Sequence, residues 1–328
     1  MKDQIADRIR GTIFASACAN SLGGTCLGMN RKEIMFAVGI RGIRDYMPGL
    51  QKSLLPEYEP GSLLSDTLMS LEIAESFIRS NGKYSQDDLK DRFIKLLESR
   101  EFLDGAPGAH CLLPIRRLAD NLPPDEDAIL DSTHVSAASR AFAIGCLPNQ
   151  DQVVKSAMDQ AKLSHADQRV CAAAAVIAHS VSQLVRGQPL GSENEVRQFV
   201  KTEFELAENI DPRFAESWDD VAPDLDYINP ADDLPYSLIN VDSHVNEAVP
   251  TAVGIFLIFR HDLEEAIAAA ASSGGDTDTV AAIVGALSGA YHGASAIPER
   301  WLNKISDRER LEKTADGLIN LWNGQAKS

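Results

Sequence analysis

Residues 272–279, Ser-Ser-Gly-Gly-Asp-Thr-Asp-Thr, concentrate the groups of this chain that are best suited to chemistry. Gly274 and Gly275 permit a positive φ or a close approach of the backbone to a neighbour. Asp276 and Asp278, two positions apart in an extended loop, point to one side, and a threonine hydroxyl follows. An apolar run with helical spacing comes next, so these oxygens are predicted at a helix start. Converging oxygens of this kind suit a hard cation.

Helix capping is the alternative interpretation of the same stretch, because Asp is a favoured N-cap residue. An isolated Asp-x-Asp ahead of a helix is more often a cap than a ligand set. Residues 274–279 contain two glycines, two aspartates and two threonines, and this density favours a metal or phosphate site.

A second acidic helix start lies at Ser65-Asp66-Thr67. The apolar positions of 68–78 fit one face of a helix, and Ser65 or Asp66 is predicted to cap it. If the fold brings the two helix starts together, they can share a cation.

Helical patterns dominate the rest of the chain, and segments that alternate with period two are few. The sequence therefore predicts an all-α fold, as one domain over 1–328. Residues 188–240 are predicted to be an irregular, acidic and proline-rich insertion, with a surface loop from 219 to 235. Helices are predicted at 4–24, 65–78, 87–98, 110–118, 152–161, 166–186, 244–260, 263–271, from 280 and within 300–324.

Composition excludes several classes of function. The net charge of −17 disfavours nucleic acid and anionic membrane surfaces as partners. No stretch reaches the roughly 20 apolar residues of a membrane span. The five cysteines are an odd number without a C-x-x-C pair, which is typical of thiols in a reducing compartment. We expect a cytoplasmic protein.

Three further polar positions are candidates for function. Asp104 lies in a turn-rich loop where it can face a cleft. Arg140 sits among small and apolar residues, where an arginine either snorkels or binds an anion. For Ser164-His165, a hydrogen-bond network at a helix start and a catalytic role both stay open.

Several motifs, in order, resemble those of the ADP-ribosylglycohydrolases, the family of dinitrogenase-reductase-activating glycohydrolase and of the ADP-ribosylarginine and ADP-ribosylserine hydrolases. The most specific is Gly-Gly-Asp-Thr-Asp-Thr at 274–279, which continues through Ala-Ile-Pro-Glu-Arg-Trp at 296–301. Further similarities lie at 11–28, 64–67, 134–147 and 163–165. The resemblance covers about residues 8–305.

The resemblance implies a compact helical bundle of that family's orthogonal type. It also implies divalent cations, Mg²⁺ or Mn²⁺, that orient ADP-ribose and a water for cleavage at the ribose C1″ carbon. The partner would be an ADP-ribose-like small molecule or an ADP-ribosylated protein. The metal ligands that the resemblance implies are Ser65, Asp66, Asp276, Asp278 and Thr279. The catalytic residues that it implies are Asp104 and Asp276. The substrate-binding residues that it implies are Asn20, Gly105, Arg140, Ser273, Gly274 and Gly275.

Departures from the family pattern affect the first half of the metal site. Asn20, Leu64 and Ser65 stand where the family has two aspartates and a threonine, and Leu27 where it has a glutamate. Since two dications need several anionic oxygens, one ion is expected rather than two. The alternative function is a non-catalytic or repurposed member that binds ADP-ribose or a related ligand, with zero or one metal.

Overall fold

The computed structural model describes residues 2–105, 107–122, 133–218, 234 and 238–325. Within these ranges the chain forms helices and no strand, which confirms the all-α prediction. The α-helices are α1 (Lys2–Gly24), α2 (Arg31–Val38), α3 (Ser65–Arg79), α4 (Gln86–Leu96), α5 (Arg100–Asp104), α6 (Ala109–Ala119), α7 (Ser136–Ser139), α8 (Phe142–Gly145), α9 (Val153–Ala161), α10 (Gln168–Val185), α11 (Glu193–Ile210), α12 (Pro212–Ala215), α13 (Val245–Ile258), α14 (Leu263–Ala271), α15 (Thr277–His292), α16 (Glu299–Leu302) and α17 (Arg308–Gln325).

The helix pair α1 and α15 lies at the centre of the apolar core, and both helices are rich in small residues. A Cβ on Gly289 of α15 would lie 2.1 Å from the carbonyl oxygen of Gly11 on α1. The two backbones therefore touch at a point where only glycine fits. The small residues of segment 4–24 allow this close approach. The contact also brings Asn20 of α1 against the first turn of α15.

Among the described helices of eight or more residues, two were not predicted. Helix α2 lies in the glycine- and proline-rich segment after α1, and the 18-residue α11 lies inside 188–240, where the prediction of irregular structure is wrong. Both begin with a capping box, Asn30 with Glu33 and Ser192 with Glu195. The side-chain oxygen of the cap accepts from the third residue, and that residue's carboxylate accepts from the cap amide. This short-range signal was present in the sequence.

Asp104 is predicted in a turn-rich loop, but in the structure it is the last residue of the short helix α5. The acidic run of 219–235, predicted as a surface loop, lies outside the described residues apart from Leu234. Among the helices that the structure describes, none has both the length and the apolar character needed to cross a bilayer.

Candidate functional site

Three carboxylates on two helix starts form the centre of the candidate site. Asp66 lies in the first turn of α3, Asp276 is the N-cap residue of α15, and Asp278 lies in the first turn of α15. All three side chains are buried. We refer to these three residues as the carboxylate cluster.

Neither Asp276 at the start of α15 nor Asp66 at the start of α3 makes a capping hydrogen bond with its side chain. Asp276 occupies the N-cap position of α15, but its carboxylate makes no capping hydrogen bond. At α3 the N-cap residue is Leu64, so the predicted cap by Ser65 or Asp66 is wrong. Asp66 lies inside the first turn, and its carboxylate accepts hydrogen bonds from other elements instead.

The loop before α15 is held by the backbone of two other segments. Gly275, at φ +80°, donates to the carbonyl of Met29 at 2.8 Å and accepts from the amide of Gly28 at 2.9 Å. The amide of Asp276 donates to the carbonyl of Val241 at 3.0 Å. A Cβ on Gly275 would lie only 2.0 Å from that carbonyl oxygen. The prediction that this glycine serves a positive φ and a close approach is confirmed.

The preceding residues are equally constrained. Gly274 has φ +87°, and a Cβ there would lie 2.4 Å from Asn240 Oδ1. The buried hydroxyl of Ser273 donates to the carbonyl of Ala270 at 2.9 Å. These contacts give the loop a fixed shape, while substrate binding by Ser273, Gly274 and Gly275 stays a prediction.

A hydrogen-bond network links α1, α3, α7 and α15 at the cluster. The amide nitrogen of Asn20 donates to Asp66 Oδ2 and to the carbonyl of Asp278, both at 3.2 Å. The hydroxyl of Thr279 donates to Asp66 Oδ2 at 3.4 Å, and that of Ser139 donates to Asp66 Oδ1. Sequence reasoning missed Ser139, because no local pattern indicates that α7 packs against α3.

Burial and mutual repulsion both raise pKa values within the carboxylate cluster. Burial raises the pKa of Asp66, and the charge of Asp276 adds to this, against the hydrogen bonds of Ser139 and Asn20. Burial likewise raises the pKa of Asp276. The pKa of Asp278 is raised well above its ordinary value, first by burial and then by the charges of Asp276 and Asp66. The ionised cluster is therefore costly unless positive charge reaches it.

Two oxygens of the cluster have no hydrogen-bond partner although they are buried. They are Asp276 Oδ2 and Asp278 Oδ1. Buried polar atoms are nearly always satisfied, so these two unpaired oxygens require an explanation. In the described ranges, no three His, Cys, Asp or Glu side chains already converge in the manner of a metal site. The cluster is thus an open pair of carboxylates beside a third one, not a closed cage.

The structure does not bring Asp104 to the cluster. Its side chain is 70% exposed and pairs at 3.4 Å with Arg100, which is still more exposed. The neighbouring Gly105 does reach α3, because its carbonyl accepts from the amide of Ser65 at 3.1 Å. The described contacts therefore give no support to Asp104 as a base, and the roles predicted for Gly105 and Ser65 stay predictions.

Arg140 is a core residue, so neither snorkelling nor binding of an anion at the surface describes it. Its fully buried guanidinium donates to Gln160 Oε1 at 2.8 Å and to Ser164 Oγ at 2.6 Å. It also stacks over Phe93, with 4.8 Å from the central carbon to the ring centroid. Burial lowers the pKa of this guanidinium to about 10. These core contacts give no support to the predicted substrate contact of Arg140, which stays a prediction.

His165 belongs to a buried network, which is one of the two interpretations left open by the sequence. Its Nδ1 lies 2.8 Å from Ser164 Oγ, and its Nε2 lies 3.4 Å from Ser136 Oγ. Burial, followed by the charge of Arg140, lowers the pKa of His165 well below its ordinary value. The imidazole is therefore neutral and serves as a hydrogen-bonding link between α7 and the segment after α9.

Comparison with known proteins now identifies the family. The family model described as ADP-ribosylglycohydrolase matches residues 1–328. The chain belongs to this family. It is similar to the ADP-ribosyl-[dinitrogen reductase] glycohydrolase of Rhodospirillum rubrum, with 23% identity over 97% of each chain. It is also 25% identical to an uncharacterized protein of Archaeoglobus fulgidus, over 96% of this chain and 97% of the relative.

A solved structure supports the fold assignment of this ADP-ribosylglycohydrolase family member. The chain described as part of an ADP-ribosylglycohydrolase-related protein complex superposes with a TM-score of 0.76 at 22% identity. The similarity covers 98% of this chain and 99% of the other. The resemblance read from the sequence motifs and the family's all-α fold are both confirmed.

Proposed function

We propose that this protein is a divalent-cation-dependent hydrolase that cleaves the ribosyl C1″ glycosidic bond of an ADP-ribosylated protein or a related ADP-ribose compound. Family membership supports hydrolysis of the ADP-ribosylglycohydrolase type. The observation that carries the proposal is the pair of orphaned buried oxygens, Asp276 Oδ2 and Asp278 Oδ1. A cation would satisfy the unpaired oxygen that each of these two buried carboxylates keeps.

The residues present fit one Mg²⁺ or Mn²⁺ ion. Mg²⁺ keeps several waters and binds through one or two carboxylates together with substrate phosphates. Asp276 and Asp278 supply two carboxylates, and Thr279 adds a hydroxyl in the first turn of α15. When bound, the ion would supply Lewis-acid polarisation and a template for water and substrate.

The chain's own contribution is a fixed and dehydrated loop. Gly275 is held by Met29, Gly28 and Val241, so the carboxylate of Asp276 keeps its direction without reorganisation during the reaction. Asp276 is our candidate for the group that accepts the proton of the attacking water. Burial raises its pKa, which makes the carboxylate a stronger proton acceptor.

The alternative is a member that binds ADP-ribose or a related ligand without cleaving it. The replacements at Asn20, Leu27, Leu64 and Ser65 favour it, because they remove anionic and hydroxyl oxygens from the half of the site near α3. Both functions predict ligand binding, and turnover separates them.

The test is release of ADP-ribose from ADP-ribosylated arginine and serine substrates by purified protein, with Mg²⁺ or Mn²⁺ and with EDTA. We expect cation-dependent release that Asp278→Asn abolishes. The matched control is Asp316→Asn, which changes an exposed carboxylate paired with Arg10. Tight ADP-ribose binding without release would support the alternative. Absence of both metal and ADP-ribose binding would refute both functions.

A further inference from the structure

The carboxamide of Asn20 lies where three elements of the site meet. Its side chain is fully buried, and all of its polar atoms have partners. Nδ2 donates to Asp66 Oδ2 and to the carbonyl of Asp278, while Oδ1 accepts from Thr67 Oγ1 at 2.9 Å. A backbone carbonyl can only accept, so the nitrogen must be the atom that faces Asp278. The amide orientation is therefore determined by its neighbours.

This contact divides the carboxylate cluster into two unlike parts. Asp66 receives Ser139 on Oδ1 and both Asn20 and Thr279 on Oδ2. A carboxylate has about four lone-pair directions, so three donors leave little room for another ligand. In contrast, the other two members of the cluster each keep one buried oxygen without any donor.

We propose that Asn20 is a positioning residue whose amide bridges Asp66 to the first turn of α15 in place of a cation. As a result the site takes a single divalent ion, on Asp276 and Asp278, and excludes a second one. The inference rests on the cation of the proposed function. It leaves Asp66 out of the ligand set that the family resemblance implied.

The physical argument is one of charge and geometry. An amide N–H directed at a carboxylate brings the positive end of a dipole to the position that an ion would need. A cation placed between Asp66 and the carbonyl of Asp278 would have to displace Nδ2 from two acceptors at 3.2 Å. It would also break the donation by Thr67, because the carboxamide moves as a rigid plane. Each displaced buried group would be left without its partner, which is unfavourable in a protein interior.

Titration of the purified wild-type chain with Mn²⁺, followed by magnetic resonance and elemental analysis, gives the number of ions bound. We expect one ion per chain and no spin-coupled pair. Asp66→Asn, which keeps shape but removes charge, should weaken Mn²⁺ binding by about tenfold, at the low end of the effect typical of residues outside the ligand set. Asp278→Asn should weaken it by more than about 100-fold, beyond the effect typical of residues outside the ligand set.

Asn20→Asp is the complementary variant. It replaces a donor by a carboxylate oxygen at the contact with Asp66, so we expect a lower thermal midpoint without metal and two Mn²⁺ ions per chain. Asn20→Ala is its control, because it removes the amide without adding a ligand and should still bind one ion. If Asn20→Asp does not fold, the wild-type count and the Asp66→Asn titration still decide.

The outcomes separate this inference from the proposed function. Two ions in the wild type, or loss of Mn²⁺ binding in Asp66→Asn, would overturn the role of Asn20 and leave the proposed function standing. A wild-type chain that binds no Mn²⁺ would refute the cation itself, and the inference with it.

Discussion

Substitution of Gly275 by alanine tests the idea that the loop carrying Asp276 is fixed by a backbone contact. Gly275 has φ +80°, and its added Cβ would lie 2.0 Å from the carbonyl oxygen of Val241 and 2.9 Å from the carbonyl carbon. Both atoms belong to the backbone, so no side-chain rotation can relieve the overlap. The two segments must separate.

The loss of folding free energy in Gly275→Ala has two parts. A left-handed conformation costs a non-glycine residue about 1–2 kcal/mol. Separation of the segments breaks the bond from the Asp276 amide to the Val241 carbonyl, which is 3.0 Å long in the folded protein. A buried group left without its partner costs about 1–3 kcal/mol. We therefore expect Gly275→Ala to lower the free energy of unfolding by about 2–5 kcal/mol.

Gly82 provides the matched control. Its φ is +81°, and an added Cβ would meet only Leu321 Cδ1 at 3.9 Å. Gly82→Ala should therefore show the conformational cost alone, about 1–2 kcal/mol. Urea unfolding of both variants measures the difference, with the midpoint and the slope fitted separately. Equal losses in the two variants would refute the argument that the approach of Val241 requires glycine.

Three further predictions follow from the charged groups. Arg140→Lys should lower the free energy of unfolding by about 2–4 kcal/mol, because lysine cannot keep the bonds of the buried guanidinium; an unchanged urea midpoint with weakened ADP-ribose binding would contradict this structural role. For His179, burial lowers the pKa of the imidazole. The hydrogen bond from its Nδ1 to Oε1 of the buried Glu203, at 2.8 Å, and the charge of Glu203 raise the pKa by more, so the net shift is upward. The pair's stabilisation is therefore complete below a pH of about 6.5 and lost as pH rises through the higher folded-state pKa; Glu203→Gln should abolish this slope in unfolding measurements, and a slope that persists would show another group to be its cause. The carboxylate cluster has raised pKa values in the fold, so the metal-free protein should lose stability as pH rises from about 4 through them, and Mg²⁺ should offset the loss; thermal melts in EDTA and in Mg²⁺ that change in parallel with pH would contradict this.

The helical class and the two acidic helix starts could be predicted because their signals are local. Apolar periodicity defines α3, α10 and α14 within a few residues, and the motif at 274–279 identifies the loop. The capping boxes of α2 and α11 were also local signals, and attention to them would have found both helices.

The surroundings of other candidate residues could not be predicted from the sequence, because they depend on which segments meet. The sequence around Arg140 is equally compatible with an anion site and with a core residue, and only its burial against Gln160 and Ser164 decides between them. Asp104 appears in a loop where a carboxylate could serve catalysis, but its side chain extends into solvent beside Arg100. Exposure of a single side chain is a property of the assembled fold.

The sequence by itself determined the family, the all-α architecture and the place of the Gly274–Thr279 motif at a helix start, since each follows from residue types at fixed spacing. Only the tertiary structure decided how the two halves of the site differ. Asp66 is covered by donors from three other helices, whereas Asp276 and Asp278 keep open oxygens. The physical reason is that hydrogen-bond saturation depends on contacts between residues as far apart in the chain as Asn20 and Asp278.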